Sequence, residues 1–347
     1  LGFPGQLPKI YGPQLGYGHP ETMMDRIILW HDRVIDQRGP GRAYDLRTGE
    51  PITLPNPVTG QPWTWGFTKG GHFCSYAVAS EHLLTFRGRS AAFFDMHSGG
   101  TGHLMGFRSG CRNSLIPANG VLNAPNFSSG CICNYSIFTS LALVHQPKSE
   151  LWTYNLLEKS SDVSVERIGL NFGARGDRRD ADGTLWVDYP SVGGPSPEIG
   201  VVVEADIGPT SFRNHAAQMQ GDRLNWIAAS GMTGVRTMTI PLVVDTDERR
   251  QYTVRLLFAE PDQVGPGERV FSVALQDQTV LSDFDIARET GGIKRTIIRE
   301  FKGIEVSDQL TVTFIPNSGE PLICGMDMVA EQKQISTSIR RSATKER

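Results

Sequence analysis

No apolar run in this sequence is long enough to span a bilayer as a helix, so no membrane span is expected. Positive charge is not in excess either. Lys and Arg number 34 against 37 Asp and Glu, a net charge of -3, which leaves no broad basic surface for nucleic acid. The chain contains no His-Glu-x-x-His, no Gly-x-Ser-x-Gly, no phosphate loop and no dinucleotide fingerprint. A Ser/His/Asp triad, whose members need not be adjacent, leaves no signature to read. His72, His82, His97 and His103 fall in turn-rich sequence and read as surface or turn residues. The chain opens on Leu1–Gly2–Phe3–Pro4, without an initiator Met or a charged-then-apolar signal peptide. Processing or truncation of the true start is the expectation.

Cysteine is scarce, with five in 347 residues. Cys74, Cys111, Cys131 and Cys133 lie in Gly/Ser/Asn-rich sequence and read as structural disulfides of an oxidising compartment. Four cysteines allow three connectivities. A bridge from Cys111 to the Cys131/Cys133 hairpin is preferred, because little else would hold the loop between them. Only Ile132 separates Cys131 from Cys133, too few residues for the usual zinc spacing. Cys324, in the apolar run 321–326, reads as a buried free thiol. The compartment implied is extracytoplasmic, periplasmic or secreted.

Glycine and proline are plentiful, 38 and 21, which fits an all-β, turn-rich chain. The length asks for two domains. The boundaries read as 1–155 for the first, 156–166 for a linker, 167–331 for the second, and 332–347 for a polar tail expected to be disordered.

The first part carries an internal repeat. A strand ends in Tyr44–Asp45 and is followed by Thr48–Gly49–Glu50; fifty residues on, a strand ends in Phe94–Asp95 and is followed by Ser98–Gly99–Gly100. Asp45 can bond the turn backbone, and Gly49 can take the left-handed conformation a tight turn needs; the second copy is the weaker. The spacing suits a propeller blade. A third unit runs through 115–117, 120–122 and 139–144. With Gly110–Cys111 and the pieces IPANG at 116–120, SSGCIC at 128–133 and TSLALV at 139–144, roughly residues 25–150 of the first part, 1–155, resemble the C-terminal blades of a quinoprotein-like (PQQ-like) β-propeller. The resemblance implies about three blades, where a closed ring has four to eight. Missing N-terminal blades of a parent protein are therefore an expected partner. No cofactor is expected; PQQ and calcium would enter only if the full propeller were catalytic. The adjacent cysteine pair of the alcohol dehydrogenases is not reproduced.

The second part holds two alternating runs, 252–258 and 269–281, broken by Pro261, Gly265, Pro266 and Gly267. Phe258, Val270, Phe271, Val273, Leu281, Phe284, Leu310, Val312 and Phe314 are the expected core. Further strands are expected at 201–203, 226–228 and 237–240. Asp283 and Asp285 read as a strand end, with Phe284 and Ile286 inward. The acidic run 177–183 reads as an Asp-Gly turn in preference to half a calcium loop. Phe258–Ala259–Glu260, Arg269–Val270–Phe271 and the piece VLSDFDI at 280–286 occur in order, with Asn171 and Asp182–Gly183 upstream. Together they resemble the malectin domain. That resemblance implies an antiparallel β-sandwich that binds carbohydrate on loops at one end.

A sugar site needs aromatic faces and hydroxyl-bonding groups. Trp186, Tyr189, Asn225, Trp226 and Glu320 are the candidates, Glu320 lying where the family's acid lies, while Trp186 and Trp226 read equally well as core. The whole reads as partial β-propeller blades followed by a malectin-like (galactose-binding-like) sandwich. Its expected role is a non-catalytic carbohydrate-binding or interaction module of a larger extracytoplasmic bacterial protein. A fragment of a quinone-dependent dehydrogenase and a purely structural scaffold are the alternatives.

Overall fold

The structure is a computed structural model and describes residues 27–37, 41–67, 75–88, 90–110, 113–125, 140–157, 163–192, 196–221, 224–244 and 249–331. Cys74, Cys111, Cys131 and Cys133, and with them the expected disulfides, lie outside the described residues, as does the tail 332–347.

Residues from Arg167 onward fold as two packed sheets. One runs in the order Arg178–Arg179, Leu185–Tyr189, Arg167–Phe172, Gly325–Ala330, Arg250–Phe258, Ile297–Val306. The other runs Val202–Glu204, Thr237–Pro241, Gln309–Ser318, Val270–Leu275, Gln278–Phe284. A small third sheet pairs Thr210–Arg213, Ser230–Thr233 and Leu322–Ile323. The expected sandwich is therefore present, with a departure from antiparallel pairing among the described strands. Arg167–Phe172 and Leu185–Tyr189 run parallel, because the chain between them turns back through the short Arg178–Arg179 strand.

The alternation explains the core. Tyr252, Val254, Leu256 and Phe258 point between the sheets and meet Phe271, Val273, Leu310, Val312, Phe314 and Phe284. Val270 and Leu281 are only partly buried, since both flank register shifts in their ladders and are displaced from the inward row. Leu257 points to the outer face of its sheet and is buried all the same, under a second small core with Trp186 and Ile227. The expected strand at 226–228 is instead part of the helix Asn225–Ala228, which covers that face. Gly169 and Gly325 make room there: a Cβ on either would lie 2.3 Å from the Trp186 ring or from Ile227, respectively. Cys324 is buried and free, and burial pushes its thiol pKa up.

Before residue 155 the described residues form small antiparallel sheets. One is built on Ile27–Trp30, Arg33–Asp36, Gly41–Asp45 and Gly66–Phe67. A second is built on Val78–Ala79, Leu83–Gly88, Ser90–Asp95, Thr101–Leu104 and Thr153–Tyr154, and a third on Ile116–Ala118, Val121–Ala124 and Leu141–Val144. The repeat in sequence is a repeat in structure. Asp45 Oδ1 accepts from the N–H groups of Arg47 and Thr48, and Asp95 Oδ1 from those of His97 and Ser98. Gly49 and Gly99 follow at φ 74° and 77°. No closed ring of blades is formed among the described residues.

The segment expected to be a linker is tied down at its C-terminal end. Val165 and the distant Val58 both enter the sandwich core, and Glu166 N–H donates to the Val58 carbonyl at 2.7 Å. Tyr252 Oη donates to the Val165 carbonyl at 2.7 Å. The Val165 side chain is worth more packed than solvated, which the polar neighbours at 158–162 do not announce.

Candidate functional site

Loops 205–209, 234–236, 259–269 and 319–321 converge at one end of the sandwich. Arg269 organises them. Its Nε donates to Glu260 Oε2 at 2.8 Å, its Nη2 to Asp262 Oδ2 at 3.0 Å, and its Nη1 to the Glu320 carbonyl at 2.7 Å. Glu260 is fully buried, and burial raises its pKa while the Arg269 charge opposes that rise. A buried carboxylate is tolerated only with such a partner. Arg236 makes a second clamp, with Nε on Asp206 Oδ2 and Nη1 on Glu320 Oε2, both at 2.8 Å. The Glu320 bond, ahead of Asp206, raises the Arg236 pKa.

Glu320 is thus held by two arginines from different loops, one on its side chain and one on its backbone. Its neighbour Gly319 sits at φ 66°, and a Cβ there would lie 2.6 Å from the Glu268 carbonyl oxygen. Only glycine allows this approach. The outer carboxylates of Asp206, Asp262 and Glu320 remain 72%, 62% and 58% exposed. Exposed carboxylates fixed by guanidinium groups are ready acceptors for hydroxyl groups, and the arginine N–H groups are donors. Ile207, beside Asp206, is an exposed apolar contact. Among the described residues no group of three or more His, Cys, Asp or Glu is arranged to hold a metal ion.

The other candidates lie elsewhere. Trp186 is fully buried and its Nε1 donates to Asp180 Oδ2 at 2.8 Å, so it is core and offers no face to a sugar. Asp180 also accepts the Asp182 and Thr184 N–H groups, which makes the 177–183 run a turn that anchors the indole. Trp226 packs on Trp186 and Trp152 at 6.2 and 6.0 Å, with the Arg178 guanidinium 4.6 Å from its ring centroid. Its ring is engaged by the protein itself. Asn225 spends its amide on the Gly221 carbonyl and on the Thr296 hydroxyl, and so braces the helix start. Tyr189 lines a separate cleft of about 340 Å³ with Asp188 and Ser196, its ring edge on Phe172.

Glu320 is therefore the one sequence candidate at the converging loops. Arg236, Arg269, Glu260, Asp206 and Asp262 were missed. Glu260 and Arg269 were visible as parts of strand motifs, where their mutual pairing across a loop leaves no periodic signal.

Asp285, read from sequence as part of a strand end, is buried. It caps the helix Ile286–Thr290 through Arg288 N–H and accepts Gly267 N–H at 2.7 Å, fixing the long loop to the core. Asp177 is buried as well. Its Oδ2 accepts both N–H groups of Asn155, from the backbone at 3.1 Å and the side chain at 3.3 Å. Burial pushes its pKa from 3.8 to about 6.

Residues 239–337 match the family model of the malectin domain. No curated protein sequence matches the chain. Among solved structures, the ANX2 ectodomain from Arabidopsis thaliana is 20% identical over 48% of this chain and 42% of its own, with a TM-score of 0.35. The plant receptor-like kinase FER is 18% identical over 50% of this chain and 44% of its own, with a TM-score of 0.35. The Bacteroides uniformis β-glucuronidase is 13% identical over 48% of this chain and 18% of its own, with a TM-score of 0.38. The chain spans less than half the length of each.

Proposed function

We propose that residues 167–331 are a non-catalytic carbohydrate-binding module whose ligand sits on the converging loops around Glu320. The observation that carries this is the coincidence of the malectin-domain match with a loop end where Arg236 and Arg269 fix three exposed carboxyl groups. Hydroxyl groups of a neutral glycan bond to Asp206, Asp262 and Glu320, and Ile207 meets an apolar patch of the ring. Recognition is polar, because Trp186, Trp226 and Asn225 are occupied within the fold.

The N-terminal part, in this reading, is a set of PQQ-like blades that belong with further blades of an extracytoplasmic parent protein. The repeated Asp turn supports this, as do Ile27 and Leu29, exposed on a strand at the edge of its sheet. A glycan array probed with the full chain and with Glu320→Gln tests the binding function. Retention of neutral oligosaccharides by the native chain, lost in Glu320→Gln, is the expected result. An array on which no oligosaccharide is retained would falsify it.

A further inference from the structure

A cavity of about 380 Å³ lies between the N-terminal sheets and the edge of the six-stranded sheet, a volume suited to a small ligand. Phe93, Pro117 and Leu122 give it apolar lining from the N-terminal side, and Arg178 and Arg179 give it guanidinium groups from the sandwich edge. No part of it belongs to the loop end around Glu320.

The two arginines differ. Arg178 is held by the rings of Trp226 and Trp152, at 4.6 and 5.7 Å. Arg179 has a buried Nε that meets no hydrogen-bond partner among the described residues. Burial works against its charge, and Asp95 and Asp180 only partly offset that. Both of those acids already accept hydrogen bonds from other groups. Asp95 Oδ1 accepts from the turn N–H groups of His97 and Ser98. Asp180 accepts from Asp182, Thr184 and the Trp186 indole. A guanidinium that lines a cavity with an apolar wall and lacks a hydrogen-bond partner among the described residues is an unfilled half of a charge-assisted pair.

We propose that this cavity binds a ring-sized ligand bearing a carboxylate, which pairs with the Arg179 guanidinium lining the cavity while its apolar face lies on Phe93 and Leu122. A sugar acid and an aromatic acid share that chemistry. Both fit the mixed lining, and a neutral sugar lacks the group that Arg179 requires.

The test is calorimetric titration of the full chain carrying Glu320→Gln, so that the loop end is not counted, with D-galacturonate, benzoate and D-galactose. Saturable binding of galacturonate identifies a sugar acid, and of benzoate an aromatic acid; galactose is expected not to bind. Arg179→Gln is expected to weaken the binding at least about tenfold. Leu122→Trp, which fills the cavity from the other side without touching either arginine, is expected to abolish it. Binding of neither acid, equal binding of galactose, or unchanged affinity in a folded Arg179→Gln or Leu122→Trp protein overturns the proposal. Should either variant fail to fold, the contrast between charged and neutral rings on the parent chain still decides.

Discussion

Single residues divide into those whose chemistry was legible in the sequence and those whose setting decides it. Trp186 and Glu320 had the same standing as sugar ligands on residue type alone. Their settings separate them, because Gly169 and Gly325 recess the backbone to receive the indole, while Gly319 and Arg236 hold the carboxylate outward. Such recesses come from strands distant in sequence, so no local pattern announces them. Trp186→Ala is expected to ease unfolding by ~3–5 kcal/mol in urea titration and to leave glycan affinity unchanged. Asp177 shows a second effect of setting. Its folded pKa of about 6 exceeds its ordinary 3.8, so folding favours the protonated form. Its contribution to stability therefore grows as pH falls through about 6 toward 3.8, and is lost as pH rises through that window. Asp177→Asn keeps an acceptor for Asn155. It is expected to be more stable than the native chain by ~1–3 kcal/mol at neutral pH and to converge with it in acid. Urea midpoints measured across pH check this; an unaltered pH slope in the variant contradicts it.

Among the elements, the alternating runs 252–258 and 269–281 were readable because Tyr252, Val254, Leu256 and Phe258 in one, and Phe271, Val273 and Leu275 in the other, alternate into the core between the sheets. The helix Asn225–Ala228 was not, since a single turn has no period to read and is held by packing on Leu257 and Trp186. The loop 259–269 was legible as a break but not as a structure. Its shape depends on Asp285, which caps the next helix and binds Gly267 N–H, and on the Glu260–Arg269 pair. Asp285→Ala removes the cap and leaves a loop N–H without its acceptor, at an expected cost of ~2–4 kcal/mol. Hydrogen exchange should show the protection of Gly267 falling while the strand Gln309–Ser318 stays protected. Gly319→Ala forces a Cβ against the Glu268 carbonyl, and a fall in glycan affinity larger than its fall in stability is the expected signature.

At the scale of the whole molecule, composition indicated an all-β chain and the motifs indicated a sandwich, but the union of its two parts is a property of the structure. Val58 lies more than a hundred residues from Val165 and shares its core, and Thr153 pairs with Asp177 across the seam. Contacts between such distant positions leave no trace in a window of sequence. The expected consequence is a single calorimetric unfolding transition for the full chain. Val58→Asp, which buries an unpaired charge, should lower the stability of both parts together. The proposed function lies at the far end from that seam, where Arg236 and Arg269 would present carboxylates to a glycan. The most direct test is to follow the arginine Nε–H resonances of the full chain as a neutral oligosaccharide selected on the array is added. Saturable shifts are expected at Arg236 and Arg269, and none at Arg178 beside Trp226. Shifts at Arg178 with Arg236 and Arg269 unmoved would contradict the proposed function.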